Sequence, residues 1–349
     1  MKKVKVGILG ATGAVGQRFV QLLENHPWFE VTALCASEKS AGKSYQEAAA
    51  WRMPTEIPAK IKNLKVKPCE PDFEAKLVFS GLDSSVAGEI EDNFANRGYI
   101  VVSNSKNHRM EKDVPLLIPE INPDHLALIK SQQKRRKSKG FIVTNPNCTT
   151  VGLAIVLKPL DDAFKIKSVL VTSMQALSGA GYPGVASLDA LDNVVPFIKD
   201  EEEKVETEPL KLLGTLSKNH IALSPIKISA SCNRVSVRDG HTESVELTFA
   251  QKPQPSQVIK VLAQFKGVPQ KMGLPSAPRN PILVAEDESR PQPVLDRDIN
   301  NGMSVTVGRI RKSNVADIKL TLLVHNTIRG AAGAAILNGE LLKAKEFLS

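Results

Sequence analysis

The chain has 349 residues, of which 42% are hydrophobic and 24% are charged, a size that favours two folded domains over one. No stretch approaches the roughly 18 apolar residues of a membrane span. The four cysteines are far apart and form no CxxC pair, which argues against a zinc site or a disulfide framework. The first residues lack the apolar core of a signal peptide. We therefore expect a cytoplasmic protein with reduced thiols and no bound metal.

A net charge of +9 raises the question of an anionic partner. The basic run at 134–139 supplies five of the positive charges, and the simplest interpretation is a solvated loop or helix end. The alternative is a non-catalytic nucleotide sensor that binds nucleic acid through this run, with steep salt dependence. Because the run lacks interleaved aromatic residues that would stack on bases, we expect no nucleic-acid partner. The lack of a long apolar stretch likewise predicts no membrane partner.

Residues 3–144 alternate strands and helices, which predicts a doubly wound parallel sheet of the Rossmann type. A glycine-rich turn and a helix that Pro27 ends follow the first strand. The helix at 86–97 lies between later strands. The predicted strands are 3–9, 29–36, 77–81, 99–103 and 141–144.

The turn after the first strand is the candidate cofactor site. Its spacing is GxxGxxG, at Gly10, Gly13 and Gly16; glycine allows close backbone approach to a pyrophosphate at a helix N-terminus. We expect Gly10, Thr12, Gly13, Ala14 and Val15 to contact the cofactor.

The segment after the second strand distinguishes NADP from NAD. NAD sites usually carry an acidic residue there to hold the ribose hydroxyls. This chain instead has Ser37, Lys39 and Ser40, which favour a 2′-phosphate and hence NADP, although Glu38 argues the other way.

Cys148 is the candidate nucleophile. It follows Asn145-Pro146-Asn147 at a strand-to-helix junction, where Asn147 can cap the helix. A helix N-terminus lowers the pKa of a thiol. We expect this helix to span about 149–157 and to end before Pro159. From the residues alone, a small buried packing residue is an equally good interpretation.

Beyond residue 160 the pattern predicts an α+β unit with a mixed, largely antiparallel sheet. Long polar stretches, including the acidic run at 200–203, separate the strands. A helix at 330–342 ends the pattern. The predicted strands are 167–173, 227–237, 245–249, 305–310 and 318–324.

Several segments together resemble the aspartate-semialdehyde dehydrogenases, most closely their archaeal and fungal branch. The similarity runs over essentially the whole chain. The segments that carry it are Gly10–Gly16, Ser103-Asn104-Ser105, Asn145-Pro146-Asn147-Cys148-Thr149-Thr150, Gln175–Gly181, Arg234 with His241, and His325–Gly330.

The resemblance implies an NADP-dependent oxidoreductase. It would convert L-4-aspartyl phosphate to L-aspartate 4-semialdehyde reversibly, through a cysteine thioacyl intermediate. The product serves the biosynthesis of lysine, threonine, methionine and isoleucine. The family also implies a homo-oligomer, either a homodimer or a homotetramer built from dimers.

The resemblance also assigns roles to residues of this chain. Cys148 would be the nucleophile, His241 the acid–base group and Gln175 the residue that orients the acyl intermediate; a histidine pKa near neutrality would suit that work. The remaining roles concern substrate and cofactor. Arg234 would bind the substrate carboxylate, Arg109 and Lys211 would hold phosphate, Glu208 would contact the substrate amino group or position Lys211, Asn147 would contact substrate, and Asn326, Ser178 and Gly179 would contact the cofactor.

Two alternatives share this architecture, a malonyl-CoA reductase and an N-acetylglutamyl-phosphate reductase. The segments Asn145–Cys148 and Cys232–Arg234 favour aspartate semialdehyde. Arg234 alone cannot exclude a malonyl substrate, which also carries a carboxylate.

One geometric difficulty concerns the segment from Arg234 to His241. Asp239-Gly240 is typical of a two-residue hairpin turn, which would place Arg234 on the order of 13 Å along the ladder from His241. We therefore expect a bulge, a longer loop or strand curvature here.

Two domains are predicted from these patterns. Residues 1–147 with 326–349 would form the NADP-binding domain. Residues 148–325 would form the catalytic and dimerisation domain.

Overall fold

A computed structural model describes residues 3–348, so residues 1, 2 and 349 of the predicted domain segments lie outside the described residues. The N-terminal part is a five-stranded sheet in the order β2-β1-β3-β4-β5, with every neighbouring pair parallel. This confirms the predicted doubly wound sheet. Its elements are β1 (Val4–Leu9), α1 (Ala14–Leu22), β2 (Phe29–Cys35), α2 (Tyr45–Ala48), α3 (Ala59–Lys62), β3 (Leu77–Ser80), α4 (Ser84–Asn96), β4 (Ile100–Ser103), α5 (Ile129–Arg136) and β5 (Phe141–Thr144).

The second part is a mixed seven-stranded sheet in the order β12-β13-β14-β11-β6-β10-β7, as the sequence predicted. Its strands are β6 (Ile166–Gln175), β7 (Val194–Val195), β10 (Lys227–Val235), β11 (His241–Phe249), β12 (Ile282–Val284), β13 (Val305–Lys312) and β14 (Ile318–Val324), and β8 (Thr215–Ser217) and β9 (His220–Ala222) form a separate ribbon. Its helices are α6 (Cys148–Phe164), α7 (Ser187–Ala190), α8 (Glu201–Leu212), α9 (Pro255–Gln264), α10 (Val268–Met272), α11 (Pro293–Asp296) and, after a π turn at Ile328–Ala332, α12 (Gly333–Ala344).

Helix α6 runs past the proline that was expected to end it. Pro159 lies inside the helix, which continues to Phe164. An interior proline costs about 3 kcal/mol, whereas each fully buried aliphatic side chain contributes about 1.5–3 kcal/mol. Because α6 buries residues along most of its length, its packing outweighs the missing hydrogen bond. The predicted end at 157 was wrong for this reason.

Strand β6 separates the two strands that the hairpin pattern suggested as partners. Strand β10 runs parallel to β6 and pairs Arg234 with Gln175. Strand β11 runs antiparallel along the other edge of β6 and pairs Thr242 with Met174. The chain between Val235 and His241 therefore crosses over the end of β6. A tight hairpin is excluded, as expected, but the cause is the intervening strand rather than a bulge.

The acidic run at 200–203 is part of a helix rather than a polar connection. It begins α8, which packs beside β10. Glu202 accepts a hydrogen bond from the Cys232 backbone N–H (3.0 Å), and Glu206 accepts one from the Ala230 N–H (2.9 Å). Carboxylates of α8 thus satisfy edge groups of β10 that would otherwise be unpaired.

The basic run ends a helix, as its simplest interpretation predicted. Helix α5 ends at Arg136, and two of its arginines pair with acidic residues. Arg135 lies 2.6 Å from Asp113, and Arg136 lies 2.6 Å from Asp92.

The final helix packs against the first sheet. Leu337 and Leu341 of α12 share a core with Phe79 of β3 and Val102 of β4. This packing agrees with the assignment of the C-terminal segment to the first domain, whose exact limits stay a prediction. Within residues 3–348, no helix has the length and apolar character needed to span a membrane.

Candidate active site

The glycine turn after β1 forms a cradle at the start of α1. Gly10 adopts φ +75°, which favours glycine, and a Cβ on Gly16 would lie 2.1 Å from the Gly10 carbonyl oxygen. Gly13 caps α1 without a side-chain hydrogen bond, and the first turn carries no acidic residue. The first N–H groups of the helix, at Ala14 and Val15, therefore remain available to an anionic group. This geometry suits a dinucleotide pyrophosphate.

The loop after β2 presents its polar side chains to solvent. Ser37, Glu38 and Lys39 are exposed, and Ser40 is partly buried. The Ser40 N–H donates to the Ser37 carbonyl at 2.9 Å, which makes the loop a compact turn. Lysine and serine groups beside the end of β2 suit a 2′-phosphate.

Cys148 is the first residue of α6, and its predicted cap is present. The Asn147 side-chain oxygen accepts hydrogen bonds from the Thr149 N–H (2.9 Å) and the Thr150 N–H (3.2 Å). The Asn147 amide donates to Glu201 at 2.8 Å. Both ends of this amide are thus used by the protein, so Asn147 positions the start of the helix.

The thiol faces a buried histidine. Cys148 Sγ lies 3.2 Å from His241 Nε2, and the Ala176 backbone N–H donates to His241 Nδ1 at 3.0 Å. We expected the helix N-terminus to lower the thiol pKa, but loss of solvent raises the pKa of Cys148 to about 12, against the opposing effect of Arg109 and Arg234. We also expected a histidine pKa near neutrality. Burial instead lowers the pKa of His241 to about 3.

Arg234 and Gln175 lie side by side at the ends of β10 and β6. Arg234 Nη1 donates to the Ala176 carbonyl at 2.7 Å, and burial lowers the pKa of this guanidinium. Among the described residues it forms no ion pair within 4 Å, so its charge remains available to an anionic substrate. Gln175 is buried and donates to Ser173 Oγ at 3.2 Å.

Arg109 and Glu208 form a buried ion pair beside the thiol. Arg109 Nη1 lies 2.8 Å from Glu208, whose other oxygen accepts from the Asn147 backbone N–H at 2.6 Å. Glu208 thereby joins Arg109 to the start of α6. Within the described chain, the Arg109 Nε has no hydrogen-bond partner.

Lys211 is held by three backbone carbonyl groups. Its ammonium donates to the carbonyls of Arg109 (2.7 Å), Glu111 (2.7 Å) and Val114 (2.9 Å). Burial lowers its pKa to about 8. Because all three of its donors are used by backbone oxygens, these bonds do not support a direct phosphate contact. The side chain instead fixes the segment that carries Arg109.

Three of the predicted cofactor residues are Asn326, Ser178 and Gly179. Asn326 accepts from the Gly240 N–H at 2.9 Å and donates to Ser178 Oγ at 2.8 Å. Gly179 is exposed and packs against the active site, since a Cβ there would lie 2.9 Å from Arg234 Nη1. These residues bring the loop after β6 against the loop before β11.

Two buried carboxylates were missed in the sequence. Glu201 accepts from Asn147 and pairs with Lys204 at 3.1 Å. Glu243 lies two residues after His241, is fully buried, and has no hydrogen-bond partner for either oxygen among the described residues. Burial raises its pKa well above the ordinary value. A helical interpretation of the acidic run could have placed Glu201 on the buried face of α8. Glu243 could have been found as an acidic residue at an inward-facing position of β11.

Family models match most of the chain. The semialdehyde dehydrogenase NAD-binding domain covers residues 5–129, and the semialdehyde dehydrogenase dimerisation domain covers residues 157–329. An aspartate-semialdehyde dehydrogenase of Archaeoglobus fulgidus is 52% identical over 341 residues, which is 97% of this chain and 98% of the relative.

The chain belongs to the aspartate-semialdehyde dehydrogenase family. Another member, from Schizosaccharomyces pombe, is 51% identical over 98% of both chains. The crystal structure of the Candida albicans enzyme with NADP superposes with a TM-score of 0.92 at 45% identity, covering 99% of this chain and 100% of that one. These likenesses confirm the family, its archaeal and fungal branch and the two-part α/β fold.

Proposed function

We propose that this chain catalyses the reversible, NADPH-dependent conversion of L-4-aspartyl phosphate to L-aspartate 4-semialdehyde through a thioacyl intermediate on Cys148. The observation that carries the proposal is the 3.2 Å contact between Cys148 Sγ and His241 Nε2 at the start of α6. A buried arginine, Arg234, which forms no ion pair among the described residues, lies beside it. The product supplies lysine, threonine, methionine and isoleucine biosynthesis, as it does across this family.

Cofactor binding follows from the cradle at Gly10–Gly16. The pyrophosphate would lie on the N–H groups at the start of α1, with Thr12, Gly13, Ala14 and Val15 around it. Ser37, Lys39 and Ser40 would hold the 2′-phosphate, and Ser178, Gly179 and Asn326 would contact the nicotinamide end. When bound, this cofactor supplies the hydride that reduces the acyl group.

Substrate binding would use groups that converge on the end of β6. The Arg234 guanidinium would hold the substrate carboxylate by two parallel hydrogen bonds. Gln175 would orient the carbonyl of the acyl group. Glu208 would hold Arg109 in place and remains a candidate for the substrate amino group.

Arg109 is the proposed phosphate ligand. Its positive charge opposes the effect of burial, which raises the pKa of the Cys148 thiol. Lys211 would act indirectly, because its three backbone bonds hold the segment from Arg109 to Val114. This is a change from the role that resemblance alone implied for Lys211.

Self-association would use an exposed apolar surface, defined by Leu188 of α7, Leu191, Val194 of β7 and Phe197. The exposed fraction of Leu188 is 89% and that of Phe197 is 68%, which is unusual for large apolar side chains on a monomer. The surface lies inside the region that matches the dimerisation domain model. We propose a cytoplasmic homodimer, from which a tetramer could be built, and domain limits at 147/148 and 325/326.

Substrate choice tests the proposal. Purified enzyme is given aspartate semialdehyde, phosphate and NADP in one assay, and malonyl-CoA with NADPH in another. The proposal predicts phosphate-dependent turnover in the first assay alone. Turnover of only the CoA substrate would instead assign the chain to the malonyl-CoA reductases.

A further inference from the structure

The Asp239-Gly240 pair, which the sequence suggested as a hairpin turn, holds the side chain of Asn326. The Gly240 backbone N–H donates to Asn326 Oδ1 at 2.9 Å, and Asn326 Nδ2 donates to Ser178 Oγ at 2.8 Å. The Ser178 hydroxyl is in turn hydrogen-bonded to the Asp239 carboxylate. These four residues close a ring of hydrogen bonds between the loop before β11, the loop after β6 and the chain after β14.

Each hydrogen bond in this ring has one possible direction. A backbone N–H can only donate, so the Asn326 oxygen must face Gly240 and the Asn326 NH₂ group must face Ser178. A hydroxyl has a single proton and a carboxylate can only accept. Ser178 therefore donates to Asp239 and accepts from Asn326. The carboxylate of Asp239 thus keeps the Ser178 lone pairs turned toward the Asn326 amide.

The burial of the Asp239 carboxylate is not explained by its ion pair. The Asp239 side chain is 13% exposed, whereas that of Arg238, which lies 3.0 Å away, is 81% exposed. A pair with so exposed a partner contributes little to stability. Burial raises the pKa of this carboxyl, but the Ser178 hydrogen bond, His325 and Arg238 together lower it below its ordinary value. The group is therefore an acceptor at neutral pH.

One N–H of the Asn326 amide forms no hydrogen bond within the described residues. A side-chain amide carries two N–H donors, and the bond to Ser178 uses one of them. Asn326 is 2% exposed, and a buried N–H without an acceptor is costly. The carbonyl oxygen of a ligand would satisfy this donor.

We propose that Asp239 is a positioning residue for the nicotinamide ring, because through Ser178 it directs the remaining Asn326 N–H to the carboxamide oxygen of the cofactor. The inference rests on the proposed function, which places Ser178 and Asn326 at the nicotinamide end. It extends that function to a carboxylate that acts only through another residue. A reversed Asn326 amide would face the carboxamide oxygen with its own oxygen, and two acceptors would repel each other.

The backbone of the ring is held by bonds that do not involve the Asp239 carboxylate. The Ser178 N–H donates to the Arg238 carbonyl at 3.1 Å. Arg297 Nη1 donates to the Asp239 carbonyl at 3.1 Å. Removal of the carboxylate should therefore release the direction of the hydrogen bonds while both loops keep their place.

The first test compares two ligands that differ only in the nicotinamide. Binding of NADP and of 2′-phospho-ADP-ribose, which lacks that ring, is measured by calorimetry for the enzyme and for Asp239→Ala. We expect the Kd for NADP to rise about three- to tenfold, as for the loss of one neutral hydrogen bond. The Kd for 2′-phospho-ADP-ribose should change by less than about twofold. Equal weakening of both ligands, or no change in NADP binding, would overturn the proposal.

The matched control is Asp298→Ala, which removes an acid from the same surroundings. Asp298 lies 3.7 Å from His325, and its side chain is 71% exposed. It is not part of the hydrogen-bonded ring, so we expect both ligands to bind as they do to the wild type. A loss of NADP affinity as large as that of Asp239→Ala would attribute the effect to charge and contradict the proposal.

A double-mutant cycle tests whether Asp239 acts through Ser178. In Ser178→Ala the carboxylate has no hydroxyl left to orient, so adding Asp239→Ala should change the Kd for NADP by less than about twofold. Two effects that simply multiply would overturn the proposal. Failure to turn over aspartate semialdehyde, with this pattern of NADP binding intact, would count against the proposed function alone.

Discussion

Arg234 and His241 are held by one and the same residue. The Ala176 carbonyl accepts from Arg234 at 2.7 Å, and the Ala176 N–H donates to His241 at 3.0 Å. This is possible because β10 and β11 flank β6 and both reach its end. A substrate at the end of β6 can therefore contact both side chains, although they are not partners on one ladder.

Removal of the nucleophile should separate catalysis from cofactor binding. Cys148→Ala is expected to lower kcat by a factor on the order of 10³ or more, because no other group can form the thioacyl intermediate. NADP affinity, measured by fluorescence titration, should stay within a few fold. The matched control is Cys232→Ala, which removes a buried thiol outside the reaction. Substantial turnover by Cys148→Ala would reject the covalent mechanism.

Arg234→Lys tests the carboxylate contact. Lysine keeps the charge and one hydrogen bond but loses the second of the two parallel bonds, and a charge-assisted bond is worth about 1.5–3 kcal/mol. We expect kcat/KM for aspartate semialdehyde to fall by about 10- to 150-fold. Arg238→Lys is the control, since the Arg238 side chain is 81% exposed. Equal kinetics in the two variants would remove Arg234 from the substrate site.

Glu243→Gln should change how stability depends on pH. Burial raises the pKa of Glu243 in the folded protein, so the folded state holds a proton that the unfolded state releases above about pH 4.3. Stability contributed by this group is then complete at low pH and is lost as pH rises from that value.

Urea unfolding at several pH values provides the measurement. The variant should gain stability relative to the wild type as pH rises, and the exposed Glu203→Gln should follow the wild type. A constant difference between Glu243→Gln and wild type across pH would mean that Glu243 is ionised like an exposed carboxylate.

The exposed apolar surface around Leu188 and Phe197 provides a test of self-association. Phe197→Asp should weaken the homodimer at least tenfold, because a charge would be buried in an apolar contact. Sedimentation equilibrium measures the change. Val315→Asp is the control, at an 83% exposed position outside that surface. A wild-type monomer, or an unchanged Phe197→Asp dimer, would place the interface elsewhere.

Local patterns predicted the strands well but not their neighbours. The spans of β5 and β14 match the predicted ones, since apolar runs bounded by turn residues specify a strand locally. The position of β6 between β10 and β11 could not be predicted, because the Asp239-Gly240 pair is a local hairpin signal that long-range pairing overrides. Pro159 is a second case, because burial of the α6 side chains outweighs the tendency of proline to end a helix.

The candidate site, like the fold, could be predicted only in part. Cys148, His241, Arg234 and Gln175 meet at the end of β6, as their resemblance to one family implied. The backbone bonds of Lys211 could not be predicted from sequence, because the carbonyls that accept them come from a distant segment. Glu201 lies in a charge run that was predicted to be a polar connection between strands.

The most direct test of the central proposal is NADP reduction with aspartate semialdehyde as phosphate is varied. The proposal predicts turnover that requires phosphate, is faster with NADP than with NAD, and is lost in Cys148→Ala. Turnover that is independent of phosphate, or that survives in Cys148→Ala, would contradict it.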